Sequence, residues 1–98
     1  MPFFRLFLFS CYNCKIKGKG GLAVKDEYKD LYQQFGLNVV YYRKKLRLSQ
    51  TQLAELANIH RTYVSSIELG KVSVSFDIVF KLAEIFEITP NKLFEFKD

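Results

Sequence analysis

The chain has 98 residues, of which 49% are hydrophobic and 26% are charged, and its formal net charge is +5. A chain of this length buries a single hydrophobic core, which excludes a multidomain enzyme. No apolar stretch reaches the roughly 20 residues that a membrane span needs, and two cysteines cannot form the multi-bridge framework of a small secreted domain, so a reducing, cytoplasmic setting is favoured.

The positive charge is concentrated in two parts of the chain. Residues 1–24 contain four lysines or arginines and no acid, and residues 43–71 contain six basic against two acidic side chains. The segments between and after them carry a slight negative excess. This clustering indicates a polyanionic partner, although a solvated charged face would give the same count.

The first 24 residues differ in composition from the rest. Four phenylalanines precede Cys11, and lysine then alternates with glycine up to residue 21. Because this alternation discourages regular structure, we interpret residues 1–24 as a tail or linker that precedes a domain at residues 25–98. An alternative is that the native protein begins near residues 22–25 and that residues 1–21 are a mis-called extension, which an intact mass from the native host would test.

A helical pattern begins after residue 25. Apolar residues three or four apart predict a first helix over about residues 26–46, either continuous or restarting after Gly36. We expect its inward face to carry Phe35, Val39, Tyr42 and Leu46.

Two short helices are predicted next, over residues 50–57 and 61–69. Ser49 offers a hydroxyl to cap the first of them, and Asn58, which tolerates a left-handed backbone, ends it. Gly70 ends the second. The residues expected to face inward are Leu53, Leu56 and Ala57 in the first helix and Val64 and Ile67 in the second.

The carboxyl-terminal part predicts two more helices. Ser75 is suited to cap a fourth helix, in which Asp77 lies in the first turn. Its apolar stripe contains Phe76, Val79, Leu82, Ala83 and Phe86. Thr89 followed by Pro90 opens a fifth, short helix through Phe94. Strand patterns are absent, so the sequence predicts an all-α fold of five short helices around one core.

The two middle helices have the spacing of a helix-turn-helix. Ala54 is small where the helices cross, Asn58 takes the turn position, and Val64 follows ten residues after Ala54 to fill the angle between them. Further positions that agree are Phe35, Gly36, Val39, Arg43, Leu48, Ser49, Gln50, Leu53, Ile59, Ile67, Glu68, Gly70, Lys71, Leu82, Ala83, Leu93 and Phe94. Over residues 35–94 the chain resembles the Cro and phage-repressor family, also called the xenobiotic-response-element family.

The resemblance departs from the family pattern at Asn58, Leu69 and Val74, where glycine, a polar or basic residue, and proline are usual. At Leu69 and Val74 the chain lacks the residue types that accompany the phosphate contacts the family often makes just after its recognition helix. The run from His60 to Ser65 looks most like the regulators that accompany restriction-modification systems.

This resemblance implies that the helix over residues 61–69 enters the major groove of DNA. With Val64 and Ile67 in the core, the outer face would carry Arg61, Thr62, Ser65, Ser66 and Leu69. Arg61 is suited to read guanine, because its guanidinium can bond O6 and N7 together. The hydroxyls of Thr62, Ser65 and Ser66 can reach base edges, and Tyr63 is expected to meet a phosphate or sugar.

Other residues are expected on the DNA backbone. Gln50 and Thr51 begin a helix, where amide groups and the dipole favour a phosphate. Arg43, Lys44, Arg47 and Lys71 are candidates for the same electrostatic role, and Lys44, Lys45, Arg47 and Lys71 are equally well read as ordinary surface residues. For Arg43 the resemblance implies an ion pair with Glu68 instead, which we favour, because Glu68 lies toward the core edge of its helix.

No catalytic, metal or cofactor site is expected. Cys11 and Cys14 have the spacing of half a zinc site or of a redox pair, but a structural zinc site needs four ligands and His60 is the one further candidate. His60 lacks a partner base, nucleophile or carboxylate, so we expect a capping or DNA-proximal residue. We also expect no small-molecule ligand, because no ligand-binding domain follows the helices.

The leading interpretation is a homodimeric regulator of transcription that binds a palindromic operator in double-stranded DNA. Candidates for the dimer contact are Phe80, Ile88, Leu93, Phe94 and Phe96, although most of them, and Leu93 in particular, are equally expected to complete the core. The alternative is a protein-interaction module, an antitoxin-like or coactivator-like protein whose helix-turn-helix holds a partner. Salt dependence separates the two, since DNA binding weakens steeply as salt rises.

Overall fold

The computed structural model describes residues 23–96, which form a helical fold. It contains α1 (Lys29–Lys45), α2 (Gln50–Ala57), α3 (Arg61–Leu69) and α4 (Phe76–Phe86), with short 3₁₀ helices at Asp26–Tyr28 and Pro90–Phe94. An isolated antiparallel bridge joins Ala23 to Val72, and no strand occurs in this part of the chain. The all-α prediction is confirmed. The count of five helices is not confirmed, because residues 23–96 contain four α-helices and the last predicted element is a 3₁₀ helix of five residues.

The predicted capping residues Ser49, Asn58, Gly70 and Ser75 lie at the ends of α2, α3 and α4. The Ser49 hydroxyl accepts a hydrogen bond from the amide of Gln52 at 3.0 Å, and the Ser75 hydroxyl accepts one from the amide of Ile78 at 3.3 Å. Asn58 ends α2 with a left-handed φ of 57°. Glu87 ends α4 in the same conformation, with a φ of 58°, and this was not predicted because a glutamate gives no signal for it.

The first helix is continuous through Gly36, which resolves the alternative of a break there. Gly36 is buried at the point where α1 crosses α3. A β-carbon on Gly36 would lie 2.5 Å from the carbonyl oxygen of Ile67 and closer still to that of Glu68. The glycine is therefore the residue that allows the backbones of α1 and α3 to approach each other.

The hydrophobic core contains most of the apolar residues predicted to face inward. Its members are Phe35, Val39, Leu53, Ala54, Ala57, Ile59, Val64, Ile67, Ile78, Val79, Leu82, Ala83, Phe86 and Leu93. Tyr42 is half-buried and stacks on Phe86, with ring centroids 6.0 Å apart. Leu93 is fully buried, which confirms its expected place in the core.

Three residues predicted to be inward are exposed. Leu56 has 54% of its surface in solvent because α2 is two turns long and buries only the side that carries Leu53 and Ala57. Phe76 is 72% exposed, since it is the first residue of α4 and precedes the part of the helix that enters the core. Leu46 is exposed because α1 ends at Lys45, one residue earlier.

The carboxyl-terminal segment is hydrogen-bonded to α1 through the side chain of Asn38. The side-chain amide of Asn38 donates to the backbone carbonyl of Leu93 at 2.9 Å and to that of Glu95 at 3.3 Å. These bonds hold the last 3₁₀ helix against α1, so that Leu93 stays in the core. No helix among residues 23–96 combines the length and apolar character needed to cross a membrane.

Candidate nucleic-acid interface

The start of α2 is fixed by a reciprocal pair of hydrogen bonds. Gln52 donates its amide to the Ser49 hydroxyl, and its side-chain oxygen accepts from the amide of Ser49 at 2.8 Å. Thr51, in the same first turn, is exposed. Gln50 and Thr51 were both predicted to contact phosphate. The side chain of Thr51 is accessible to solvent, whereas that of Gln50 is half-buried.

The turn between α2 and α3 sets the angle of the second helix. Asn58 reverses the chain in the left-handed conformation, and the amide of Ile59 then donates to the carbonyl of Ala54 at 3.0 Å. Ala54 is buried at the crossing and Val64 fills the space between the helices, as the spacing predicted. His60 is the residue before α3, and its side chain makes no capping hydrogen bond.

The outer face of α3 carries the residues predicted to read bases. Val64 and Ile67 are buried, which confirms the orientation of the helix. Thr62 lies opposite them and is exposed, Arg61 beside it is exposed as well, and the half-buried hydroxyl residues Ser65 and Ser66 continue the outer surface one turn later. This outer surface ends at Leu69, whose side chain is exposed.

Glu68 connects α3 to the two preceding helices. Its carboxylate accepts Nε of Arg43 at 2.6 Å and Nη2 of Arg43 at 3.1 Å, which confirms the ion pair that the family resemblance implied. The same carboxylate accepts the side-chain amide of Gln50 at 2.8 Å, and Arg43 also donates to the carbonyl of Leu48 at 2.8 Å. Because the side chain of Glu68 is 4% exposed and that of Arg43 is 11% exposed, water contributes little to the solvation of either charge and each is stabilised by the other.

This arrangement matches a known protein family. Residues 40–93, more than half of the chain, match the family described as helix-turn-helix. The chain belongs to the helix-turn-helix family. It is a DNA-binding regulator of that type, and the family implies DNA as its partner.

The relatives of this helix-turn-helix protein include two control proteins. The control protein C.SmaI of Serratia marcescens is 35% identical over 66 residues, which are 67% of this chain and 79% of the relative. The control protein C.BamHI of Bacillus amyloliquefaciens is 38% identical over 63 residues, which are 63% of this chain and 78% of that one. The resemblance of the run from His60 to Ser65 to such regulators is thereby supported at the level of the chain.

A solved structure extends the likeness of this helix-turn-helix protein to three dimensions. The restriction-modification controller protein C.AhdI of Aeromonas hydrophila has a TM-score of 0.65 and 38% sequence identity. The match covers 71% of this chain and all of the controller. The structural match thus agrees with the family match: both indicate a helix-turn-helix protein.

The predicted phosphate contacts lie around the helix-turn-helix. Lys44 and Arg47 are exposed at the end of α1 and just after it, and Lys71 is exposed two residues after α3. Arg43 was named as a further candidate for a phosphate contact, and its guanidinium donates hydrogen bonds to the carboxylate of Glu68 and to the carbonyl of Leu48. The guanidinium therefore acts inside the domain, where it orients α3.

The side chain of Tyr63 lies partly against the hydrophobic core and partly in solvent. Its ring packs against the hydrophobic core, and this burial raises the pKa of the phenol above its ordinary value of 10.0. The side chain is half-buried, so the predicted contact with a phosphate or sugar falls to the part of the residue that remains in solvent.

Two contributors to the site were missed in the sequence. Lys81 is 3% exposed and donates its ammonium to the carbonyl of Ala57, the last residue of α2, at 3.0 Å. Burial lowers the pKa of Lys81 from 10.5, while Glu84 and Asp77 act in the opposite direction. The available signal was a single lysine within the apolar pattern of α4. The bond from Gln50 to Glu68 was also missed, because Gln50 matched a phosphate-binding position.

No group of three or more potential metal ligands occurs among residues 23–96. Cys11 and Cys14, weighed in the sequence as half a zinc site or a redox pair, lie outside the described residues.

Proposed function

We propose that this protein regulates transcription by binding a palindromic operator as a homodimer, with α3 of each copy in the major groove. The observation that carries the proposal is the division of α3 into two faces. Arg61 and Thr62 stand in solvent on one face, while Val64 and Ile67 lie in the core and Glu68 is bonded to α1. Because these contacts already fix the position of α3, the helix loses little conformational entropy when it binds base edges.

The proposed division of labour follows the exposure of the side chains. Arg61 reads guanine, and Thr62, Ser65 and Ser66 contact neighbouring base edges or a thymine methyl group. Thr51, Lys44 and Lys71 contact phosphates and set the register of the protein on the duplex, together with the exposed part of Tyr63. Gln50 and Arg43 serve the interface through Glu68, because their donors are bonded to it.

Two-fold symmetry places the two recognition helices about one turn of DNA apart, roughly 34 Å. We assign the dimer contact to apolar side chains that the fold leaves in solvent. Phe80 and Phe94 are exposed and Ile88 and Phe96 are half-buried, whereas Leu93 belongs to the core. Replacing Phe80 with serine is expected to weaken dimerisation and operator binding together, with the helical content unchanged.

The relatives indicate the class of genes. Because C.AhdI is a restriction-modification controller protein and C.SmaI and C.BamHI are control proteins, we infer that this chain controls genes of a restriction-modification system in the cytoplasm. No enzymatic activity, cofactor or small-molecule ligand is proposed.

The test is selection of bound duplexes from a random pool by the purified 98-residue protein at physiological salt, followed by sequencing and a size measurement of the complex. Enrichment of a palindrome bound by two chains supports the proposal. No enrichment by a folded, helical protein would overturn it and favour the protein-interaction module. The affinity should also fall steeply with salt, because each phosphate contact releases a counterion.

A matched pair of variants separates base reading from charge. Arg61→Lys keeps the positive charge but loses the bidentate geometry for guanine. We expect it to lose about 1–3 kcal/mol of discrimination at one operator position, with the salt dependence unchanged. Lys71→Ala is expected to do the opposite: it weakens binding to all sequences and lowers the salt slope by about one. Equal behaviour of the two variants would refute the assignment of Arg61.

A further inference from the structure

An apolar groove lies on the side of the domain formed by the starts of α1 and α4 and by the carboxyl-terminal segment. Its walls include Leu31 of α1, Val74 before α4, Phe76 and Val79 of α4, and Phe94. The cavity volume is about 270 Å³. This exceeds the volume of about 150 Å³ that suffices for a cavity lined by aliphatic and aromatic side chains to bind benzene. The groove is therefore large enough to accept an aromatic ring.

The rim of the groove is unusually apolar for a surface. Leu31 is 48% exposed, and the ring of Phe76, the most exposed large apolar side chain described, stacks on Phe80 with centroids 6.0 Å apart. Contiguous exposed apolar side chains of this kind mark a surface that binds another apolar element.

The chain itself supplies an element of that kind. Residues 3–9, here called the aromatic segment, read Phe-Phe-Arg-Leu-Phe-Leu-Phe, so six of the seven side chains are apolar. No comparable run without an acidic residue occurs at residues 25–98. An aromatic segment of this composition loses solvent-exposed apolar area wherever it finds a complementary surface.

The described chain begins beside the groove. Ala23, the first described residue, forms an antiparallel bridge with Val72. Val72 lies two residues before Val74, which is part of the groove wall. The connection to the aromatic segment therefore starts next to this wall.

The connection is long enough and includes glycines. Thirteen residues separate Phe9 from Ala23, and Gly18, Gly20 and Gly21 are among them. A glycine-rich chain of this length spans roughly 20 Å on average and about 43 Å when extended, against a longest domain dimension of 37 Å. A short flexible connection gives an effective concentration in the millimolar range, which favours binding within one chain.

We propose that the aromatic segment of this chain docks into the groove of the same chain and covers Leu31, Val74, Phe76 and Val79. Phe94 and Phe96 line the groove and are covered with it, so the dimer contact then falls to Phe80 and Ile88, which do not line the groove. The docked segment also brings the adjoining acid-free residues 10–22 to the edge of the domain beside Val72.

Cys11, two residues after the aromatic segment, provides the probe. With Cys14→Ser, it is the single cysteine of the full chain and accepts a nitroxide spin label. We expect paramagnetic broadening of the methyl signals of Leu31, Val74 and Val79 to exceed that of Leu56 on α2 several-fold. Replacement of the four phenylalanines of the segment by serine keeps the label and the length, and it should remove this selectivity.

A matched pair of groove variants makes the result specific. Leu31→Glu places a charge at the groove and should abolish the broadening of Val74 and Val79, whereas Leu37→Glu, at a 64% exposed leucine of the same helix, should leave it unchanged. Broadening that is equal over the domain, or that survives in the serine variant, overturns the proposal. Broadening from a labelled chain onto an isotope-labelled, spin-free chain also overturns it and assigns the groove to a second copy.

Discussion

Replacing Gly36 with alanine tests the close approach of α1 and α3. In a helix interior this change normally stabilises a protein, because alanine has the higher helix propensity, by about 1 kcal/mol. Here the added β-carbon would lie 2.5 Å from the carbonyl oxygen of Ile67 and closer to that of Glu68, although β-carbons in proteins stay beyond 3.0 Å of such atoms. The two backbones must therefore separate by at least about half an ångström, since neither carbonyl can rotate out of its helix.

The expected free-energy change follows from these opposing effects. Overpacking a buried site costs about 1–3 kcal/mol, and the upper end applies because backbone atoms rather than flexible side chains must move. Subtracting the propensity gain of about 1 kcal/mol leaves a net loss of about 2 kcal/mol. For a domain of this size the melting temperature should fall by roughly 8–16 °C.

Urea unfolding followed by circular dichroism measures this difference, with Leu37→Ala as the control. Leu37 is the next residue of α1 and is exposed, so its substitution should change the free energy of unfolding by less than about 0.5 kcal/mol. An increase in stability of Gly36→Ala would refute the close packing described for α1 and α3. The variant should also bind DNA more weakly, because the displaced carbonyls belong to the recognition helix.

Four further outcomes are expected from substitutions and pH. Asn58→Gly should raise the free energy of unfolding by roughly 0.5–1 kcal/mol, because glycine adopts the left-handed conformation without strain, and a loss of stability in urea would contradict this. Glu68→Gln should cost about 3–5 kcal/mol by leaving the buried charge of Arg43 unpaired, and a double variant with Arg43→Met should recover part of that loss in chemical denaturation. Leu93→Ala should cost about 2–5 kcal/mol because the residue is fully buried, whereas a loss below 1 kcal/mol would remove Leu93 from the core. Tyr63 has a raised pKa in the folded protein, so the unfolded chain releases its phenolic proton first and stability falls as the pH rises above 10.0. Tyr63→Phe should lack this part of the alkaline decline, and identical pH profiles would contradict the assignment.

Local signals in the sequence predicted the elements and their ends well. The end of a helix depends on residues within a single turn, so the capping roles can be predicted without knowledge of the fold. This holds for Ser49, Ser75, Asn58 and Gly70. The left-handed Glu87 was not predicted, because its conformation is imposed by the packing of α4 rather than by its own preference.

The errors concern which side of a helix is covered. Leu56 and Phe76 have the same hydrophobicity as core residues, but α2 is covered on one side only and Phe76 precedes the buried part of α4. Periodicity identifies an apolar residue without identifying the element that covers it. The bond between Lys81 and Ala57 joins residues 24 apart in the chain and has no local signature.

In the candidate site, the residues of α3 could be assigned to faces from the helical repeat alone. The role of Gln50 could not, because both a phosphate and the carboxylate of Glu68 are suitable acceptors for its amide. Only the approach of α1, α2 and α3 at Gly36 and Ala54 brings Glu68 within reach of both Arg43 and Gln50.

The hydrogen bonds to Glu68 have a consequence for how operator preference can change over time. All three donors bond to the buried carboxylate of Glu68, whereas Arg61 and Thr62 are exposed and Ser65 is half-buried, and none of the three takes part in these bonds. Substitutions at these outer positions leave the bonds intact and are expected to alter stability by less than about 0.5 kcal/mol each. Under the proposed function, replacing these outer residues together is expected to direct the domain to a different operator while the packing of α1, α2 and α3 stays unchanged.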